Sequence, residues 1–231
     1  MECVEFYSNL KDENIKLSDK QLLLFSQYYD FLIKSNKKTN LTSITNKPEV
    51  YAKHFYDSLT PLFDGEIKGE VLDVGSGAGF PGIPVKIVCP EIKLSIIDSA
   101  NKKIKFLESL LKELDLPDVQ LINARAEDYS KEKREYFDVV LSRAVAELPI
   151  LCELCLPLTK VGGEFWALKG PKGLEELSLS TQAIELLGGE VKGVYHQQYS
   201  GQKRINICIT KVKNTPKTYP RPYGAIVNQP R

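Results

Sequence analysis

The spacing of apolar residues changes near residue 69, and the change divides the chain. Upstream, Leu22, Phe25, Tyr29 and Leu32 recur at helical spacing behind Ser18-Asp-Lys-Gln21, a capping box with Ser at the N-cap and Gln at the third helical position. The pattern predicts a helix that ends near Lys34, where KSNKKTN interrupts it. A second helix is predicted from Pro48 through Phe63, with Pro48 suited to its first turn. Downstream, short apolar runs alternate with amphipathic stretches. Strands are predicted at Glu70–Val74, Lys93–Asp98, Val119–Asn123, Phe137–Ser142 and Glu164–Leu168. The clearest intervening helix is Asn101–Leu114, with Ile104, Leu107, Leu111 and Leu114 on one face.

Strands alternating with helices imply a parallel sheet with crossover connections. Two further strand-like segments, Glu190–Tyr199 and Arg204–Val212, have no helix between them and suit an antiparallel hairpin at the sheet edge. Five β–α units closed by such a hairpin is the plan of the class I S-adenosylmethionine-dependent methyltransferases: Rossmann-like α/β, with a mostly parallel seven-stranded sheet. The expected organisation is therefore a helical extension over 1–65, a methyltransferase domain over 66–213 and a basic extended tail over 214–231. Cys152 and Cys155, within ELPILCELCLP, have the spacing of half a zinc site but no second Cys/His pair nearby, so core packing is the expectation. Trp166, on a predicted strand, is likewise expected in the core.

Composition narrows the class. The chain has 231 residues, 42% hydrophobic and 26% charged, which are ordinary globular values. No apolar run is long enough to span a bilayer, and MECVEFYSNLKDENIK lacks the basic-then-apolar plan of a signal peptide. Five irregularly spaced cysteines suit reduced thiols, so a cytoplasmic protein is expected. The net charge of +1 conceals an asymmetry: 192–231 holds eight basic residues and no acidic one, and the preceding 191 residues balance to −7. Such a segment suggests a face that meets a polyanion, with Lys203, Arg204 and Arg221 as candidate contacts.

The strongest local signal is Val71-Leu72-Asp73-Val74-Gly75-Ser76-Gly77-Ala78-Gly79-Phe80-Pro81-Gly82, an apolar strand running into clustered glycines and then a helix. Glycine permits the sharp turn and close ligand approach, and the helix start supplies free N–H donors. The dinucleotide pattern G-x-G-x-x-G fails, because the sixth position from Gly75 is Phe80, and no G-K-[ST] phosphate loop is present. The pattern is D-x-G-x-G-x-G, usual in methyltransferases. Asp73 and the loop through Gly75, Gly77 and Gly79 would hold the methionine part of S-adenosyl-L-methionine. Asp98, 23 residues after Gly75 at the end of the second strand, would accept both ribose hydroxyls. Ala126-Glu127, after the third strand, lies where this fold contacts adenine. No metal is called for.

Acceptor chemistry is narrowed by missing motifs. The fourth strand ends Leu141-Ser142-Arg143-Ala144-Val145, without the Asn-Pro-Pro-Tyr type sequence that holds an exocyclic amine, and no Pro-Cys nucleophile for cytosine C5 is evident. A ring nitrogen such as guanine N7 needs positioning more than a general base. Arg143 would steer RNA or orient the base, although this alone does not select guanine.

Asn40-Leu-Thr-Ser-Ile44, His54-Phe-Tyr-Asp57-Ser58-Leu59, DVGSGAGFPGIP and Ser142-Arg143-Ala-Val-Ala146 together resemble the bacterial RsmG (GidB) family, over about residues 20 to 212. The resemblance implies methylation of guanine N7 in small-subunit ribosomal RNA, with that RNA or the ribosomal subunit as partner. Matched positions imply cofactor contacts at Gly75, Phe80, Asp98, Ser99, Ala100, Ala126, Glu127 and Arg143, and RNA or base contacts at Lys102, Arg125 and Lys169. Arg143 and Lys169 are the positioning candidates, and a monomer is expected. His54 and Asp57, three apart on a helix, are read as joining that helix to the domain. The tail departs from the family's Pro-Arg-Lys-x-Gly-x-Pro, since this chain has Tyr219-Pro-Arg-Pro-Tyr-Gly224. Two other readings stay open: a methyltransferase acting on a substrate other than RNA, and an RNA-binding assembly factor whose cofactor pocket is structural.

Overall fold

The alternation after residue 69 folds as a seven-stranded sheet in the computed structural model, which describes residues 3–231. In chain order, α1 (Cys3–Asp12) and α2 (Asp19–Thr39) come first. A helical run follows: α3 (Lys47–Val50), a π-helical segment Tyr51–Tyr56, α4 (Asp57–Leu59) and α5 (Pro61–Asp64). Then come β1 (Glu70–Val74), α6 (Gly82–Val88), β2 (Lys93–Ile97), α7 (Asn101–Leu114), β3 (Val119–Ile122) and α8 (Ala126–Tyr129). The chain continues with β4 (Phe137–Arg143), α9 (Leu148–Cys155), β5 (Thr159–Lys169) and α10 (Gly173–Leu186). It closes with β6 (Gly189–Tyr199), β7 (Gln202–Lys211) and α11 (Tyr223–Asn228).

Sheet order is β3-β2-β1-β4-β5-β7-β6. The first five strands pair in parallel, while β7 is antiparallel to both β5 and β6. The expected hairpin is present, but its second strand β7 inserts next to β5 and leaves β6 at the edge. The order reverses between β1 and β4, so the carboxyl ends of those strands open a crevice. That opening positions the site.

Two helical expectations shift. The helix capped by Ser18 does make the capping box, but it continues to Thr39 and ends on Asn40 in the left-handed conformation (φ 47°), a residue that tolerates that region. Its buried stripe is Leu24, Phe25, Tyr28 and Leu32; Leu22 and Tyr29 are only half-buried. The Pro48–Phe63 run is helical as expected, but widens to π geometry around His54. Phe6 and Leu10 of α1 pack with Phe25, Tyr51 and Phe55 into the main hydrophobic cluster, so the N-terminal helices cover one face of the sheet.

Cys152 and Cys155 are fully buried in the cluster on the opposite face, and burial pushes both thiols far up, as befits core residues. Trp166 is also fully buried, with its indole N–H donated to Glu164 at 3.0 Å. The tail is not extended: α11 docks on the body, with Ile226 fully buried in that same cluster.

Candidate active site

β1 delivers Asp73 and the glycine loop to the crevice. Asp73 is fully buried, and its Oδ2 accepts the Gly82 N–H at 2.7 Å, tying the strand to the first turn of α6. Its Oδ1 and the neighbouring Ser76 Oγ are buried without a hydrogen bond of acceptable geometry. Burial pushes the Asp73 carboxyl up to about 6, opposed by the nearby Ser76 hydroxyl and the Gly82 N–H. Two glycines of the loop differ in what surrounds them. A Cβ at Gly79 (φ 102°) would stand 2.5 Å from the Tyr28 hydroxyl, which itself donates to the Ala78 carbonyl. A Cβ at Gly77 (φ 61°) would meet nothing within 4 Å, so this part of the loop borders open space.

Beside the loop lies a cavity of about 240 Å³. Of the predicted cofactor residues, Gly75, Asp98, Ser99, Ala126 and Glu127 line it, together with Arg125. Asp98, 6% exposed, accepts the Ala100 N–H at 2.9 Å on Oδ1. Its Oδ2 is shared by the Gly77 N–H and Lys103 Nζ, both at 3.3 Å. These two contacts are long, and the Lys103 side chain is 44% exposed, so ligand hydroxyls can replace them. Gly77 and Ala100 thus act through Asp98 by their backbone N–H groups. Val145, Leu154 and Tyr223 also line the cavity, and sequence reasoning passed over all three. Val145 and Leu154 fall within segments singled out for other reasons, and the three arrive from separate parts of the chain, so spacing does not bring them together.

Phe80 and Arg143 lie elsewhere. Phe80 is stacked between His54 and Tyr28, with ring centroids 4.6 and 5.4 Å away, and Arg143 caps its face at 5.1 Å. The Arg143 guanidinium donates to Asp57 Oδ2 at 2.6 Å and to the Lys53 carbonyl at 3.0 Å. Arg204 donates to the other Asp57 oxygen at 3.0 Å, and the Tyr199 hydroxyl donates to that same oxygen. His54 Nδ1 faces Arg143 at 3.3 Å and Nε2 faces Thr42 Oγ1 at 2.8 Å. His54 Nδ1 also faces the Lys53 carbonyl at 3.2 Å, so both ring nitrogens are engaged. Burial, reinforced by Arg143, lowers His54 to about 4, so the ring is neutral near pH 7. The HxxDS motif is therefore a clamp joining the N-terminal helices to the ends of β4 and β7, and Phe80 and Arg143 belong to it.

The basic candidates divide in the same way. Lys102 lines a separate groove of about 540 Å³ between α2 and α7, with Lys38 and Lys105. Lys203 is exposed. Lys169, 8% exposed at its side chain, bonds to Glu176 at 2.6 Å and to the Ala146 carbonyl at 2.8 Å, so its ammonium is held inside the protein. Arg221 makes a two-pronged pair with Glu153, a carboxylate 1% exposed at its side chain. Lys192, Arg204, Lys211 and Arg221 all pair with carboxylates of the body. Half of the eight basic charges in the terminal segment are thus neutralised internally, and the +8 face expected from the sequence does not form. Among the described residues, no group of three or more His, Cys, Asp or Glu is arranged to hold a metal ion, and no helix is long and apolar enough to cross a membrane.

The family model of GidB, rRNA small subunit methyltransferase G, matches residues 21–206. The chain belongs to the GidB family. It is 47% identical to ribosomal RNA small subunit methyltransferase G of Geobacillus kaustophilus, covering 100% of this chain and 99% of that protein. It is 49% identical to the protein of the same name in Staphylococcus epidermidis, over 93% of this chain and 92% of that one. Solved structures share the class I fold at low identity. One is precorrin-6y C5,15-methyltransferase from Geobacter metallireducens, with TM-score 0.52 and 15% identity over 68% of this chain and 86% of that one. Another is TYW2 of M. jannaschii in complex with AdoMet, with TM-score 0.54 and 15% identity over 68% and 76%.

The cofactor of the GidB family is S-adenosylmethionine, and this chain's residues fit it. Asp98 offers a nearly buried carboxylate for a diol. The buried Asp73 carboxylate braces the loop by accepting the Gly82 N–H. Gly77 leaves open the space that a ligand would take beside the loop. Ile97, Ala124 and Leu154 give the cavity apolar walls for a base.

Proposed function

We propose that this chain transfers the methyl group of S-adenosylmethionine to N7 of a guanine in small-subunit ribosomal RNA, acting in the cytoplasm. The reading is carried by one observation: in a chain matching the GidB family over residues 21–206, the glycine loop and Asp98 converge on a single cavity at the sheet's reversal point. When bound, the cofactor supplies a methyl on a sulfonium, which the N7 lone pair takes as the carbon–sulfur bond breaks. N7 carries no proton, so the protein's task is to bind, orient and exclude water. Asp98 holds the ribose, the loop from Gly75 to Gly79 holds the amino-acid end, and Ala126 and Glu127 face the base. His54 is neutral and engaged at both nitrogens, so it fixes the clamp and moves no proton.

Lys38, Lys102 and Lys105 form the RNA-facing groove. All three are exposed, and among the described residues none has an ion pair and no acidic residue lines the groove. Its α7 wall begins at Asn101, three residues beyond Asp98, so phosphates bound there would lie next to the cofactor.

The test is methyl transfer from labelled S-adenosylmethionine to small subunits from cells lacking the endogenous enzyme, followed by nucleoside identification by mass. A 7-methylguanosine product is expected. Transfer that ignores both RNA and salt would favour a non-RNA substrate. RNA binding with no transfer would favour an assembly factor.

A further inference from the structure

The C-terminal segment is latched to the body beside the cofactor cavity. Arg221 donates its backbone N–H and its guanidinium to Glu153, next in sequence to the cavity-lining Leu154. Arg134 donates to the Thr215, Pro216 and Tyr219 carbonyls, and Ile226 is fully buried. Two residues past Arg221 this strap brings Tyr223 to the cavity wall. Tyr223 is 38% exposed, and the Arg125 guanidinium lies over its ring at 4.8 Å. Arg125 is within 3.8 Å of Glu127, and both line the cavity.

We infer that Tyr223 is a cofactor-binding residue: its ring, backed by Arg125, forms the stacking wall for the adenine, and the strap is part of the nucleoside site. The inference rests on the reading of this cavity as the S-adenosylmethionine site. The chemistry favours a planar base. Asp98 offers a carboxylate to a diol, and the same cavity combines apolar walls with an aromatic ring and a guanidinium plane, both of which stack on purines. An anion would instead face Glu127 and Asp98. The buried Arg221–Glu153 pair acts as a positioning contact, because it sets where Tyr223 stands.

The experiment is calorimetric titration of the full chain with S-adenosylhomocysteine, comparing wild type with Tyr223→Ala, Tyr223→Phe and Asp98→Ala. Tyr223→Ala should weaken binding about tenfold and Tyr223→Phe less than twofold, since the ring and not the hydroxyl carries the contact. Tyr223 is exposed, so ligand-free melting should be unchanged. Tyr223→Trp should add a fluorescence signal quenched by the ligand, which the fully buried Trp166 of the wild type lacks. Tyr223→Ala binding within twofold of wild type, while Asp98→Ala is strongly weakened, would overturn the assignment of Tyr223 alone. Both variants binding like wild type would overturn the cofactor-site reading and this inference with it.

Discussion

Arg143 and Asp57 lie 86 positions apart in the chain, and their side chains meet at 2.6 Å where the N-terminal helices join the sheet. Asp57 also pairs with Arg204, so one buried carboxylate holds two guanidinium groups that would otherwise repel each other. Removing it leaves both cations partly buried and unpaired. Asp57→Ala should destabilise the fold by roughly 3–5 kcal/mol, the range for breaking a buried pair from one side. Asp57→Asn should recover only a minor part of the loss, because one amide cannot neutralise two cations. Urea unfolding midpoints read the effect; a change below about 1 kcal/mol would mean that the clamp is incidental.

Stability near neutrality should carry two opposed proton linkages. The Asp73 carboxyl, raised to about 6, contributes stability that is fully present below its unfolded value and is lost as pH rises through 6. His54, lowered to about 4, contributes stability present above its unfolded value near 6.5 and lost as pH falls through 4. In the wild type the two slopes oppose each other between about pH 4 and 6. Relative to wild type, His54→Gln should gain stability on going from pH 7 to 4.5, and Asp73→Asn should lose it. Each effect is on the order of 2–3 kcal/mol over the full window. Paired denaturation curves at the two pH values check this, and parallel shifts in both variants would contradict it.

The glycine loop separates folding from binding. Gly79→Ala sets a Cβ against the Tyr28 hydroxyl at a positive φ, so it should lose several kcal/mol of stability. Gly77→Ala meets no protein atom and should cost only about 1–2 kcal/mol of backbone strain. If that open space belongs to the ligand, Gly77→Ala should nonetheless weaken cofactor binding tenfold or more. Melting curves and calorimetry on the same preparations distinguish the two positions. Unaltered affinity in Gly77→Ala would place the ligand elsewhere.

The sheet and the loop were readable because their signals are local. A strand running into D-x-G-x-G-x-G, and an acid at the end of the next strand, place Asp98 beside Gly77 from spacing alone. The ion pairs were not. Nothing in the sequence marks a partner for Arg143, Lys169, Arg204 or Arg221, and only topology shows that Asp57, Glu176 and Glu153 neutralise them. The tail misled for the same reason. Its Pro- and Asn-rich composition reads as extended, yet the Arg221–Glu153 pair and Ile226 dock it. Half of the helical stripe differed, Leu24 and Tyr28 standing in place of Leu22 and Tyr29, because Leu22, Leu23 and Leu24 are contiguous, as are Tyr28 and Tyr29, and periodicity alone does not choose among them.

RNA binding should follow the groove and not the tail's total charge. Lys38→Gln, Lys102→Gln and Lys105→Gln should each weaken RNA binding and flatten the slope of log affinity against log salt by up to about 1 per lost phosphate contact, with cofactor affinity unchanged. Filter binding across a salt series checks this. A steeper loss from Lys213→Gln or Lys217→Gln would move the interface to the tail.

On the proposed function, the cavity holding Asp98 is where the methyl donor binds for ribosomal RNA modification. The most direct test is the small-subunit transfer assay with wild type and Asp98→Ala side by side, scored for 7-methylguanosine and for cofactor affinity. Wild type should yield 7-methylguanosine. Asp98→Ala should bind the cofactor more weakly, by about 1–3 kcal/mol for the lost ribose hydrogen bonds, and yield little product at limiting cofactor. Full product and unchanged affinity in Asp98→Ala would mean that the methyl donor binds elsewhere.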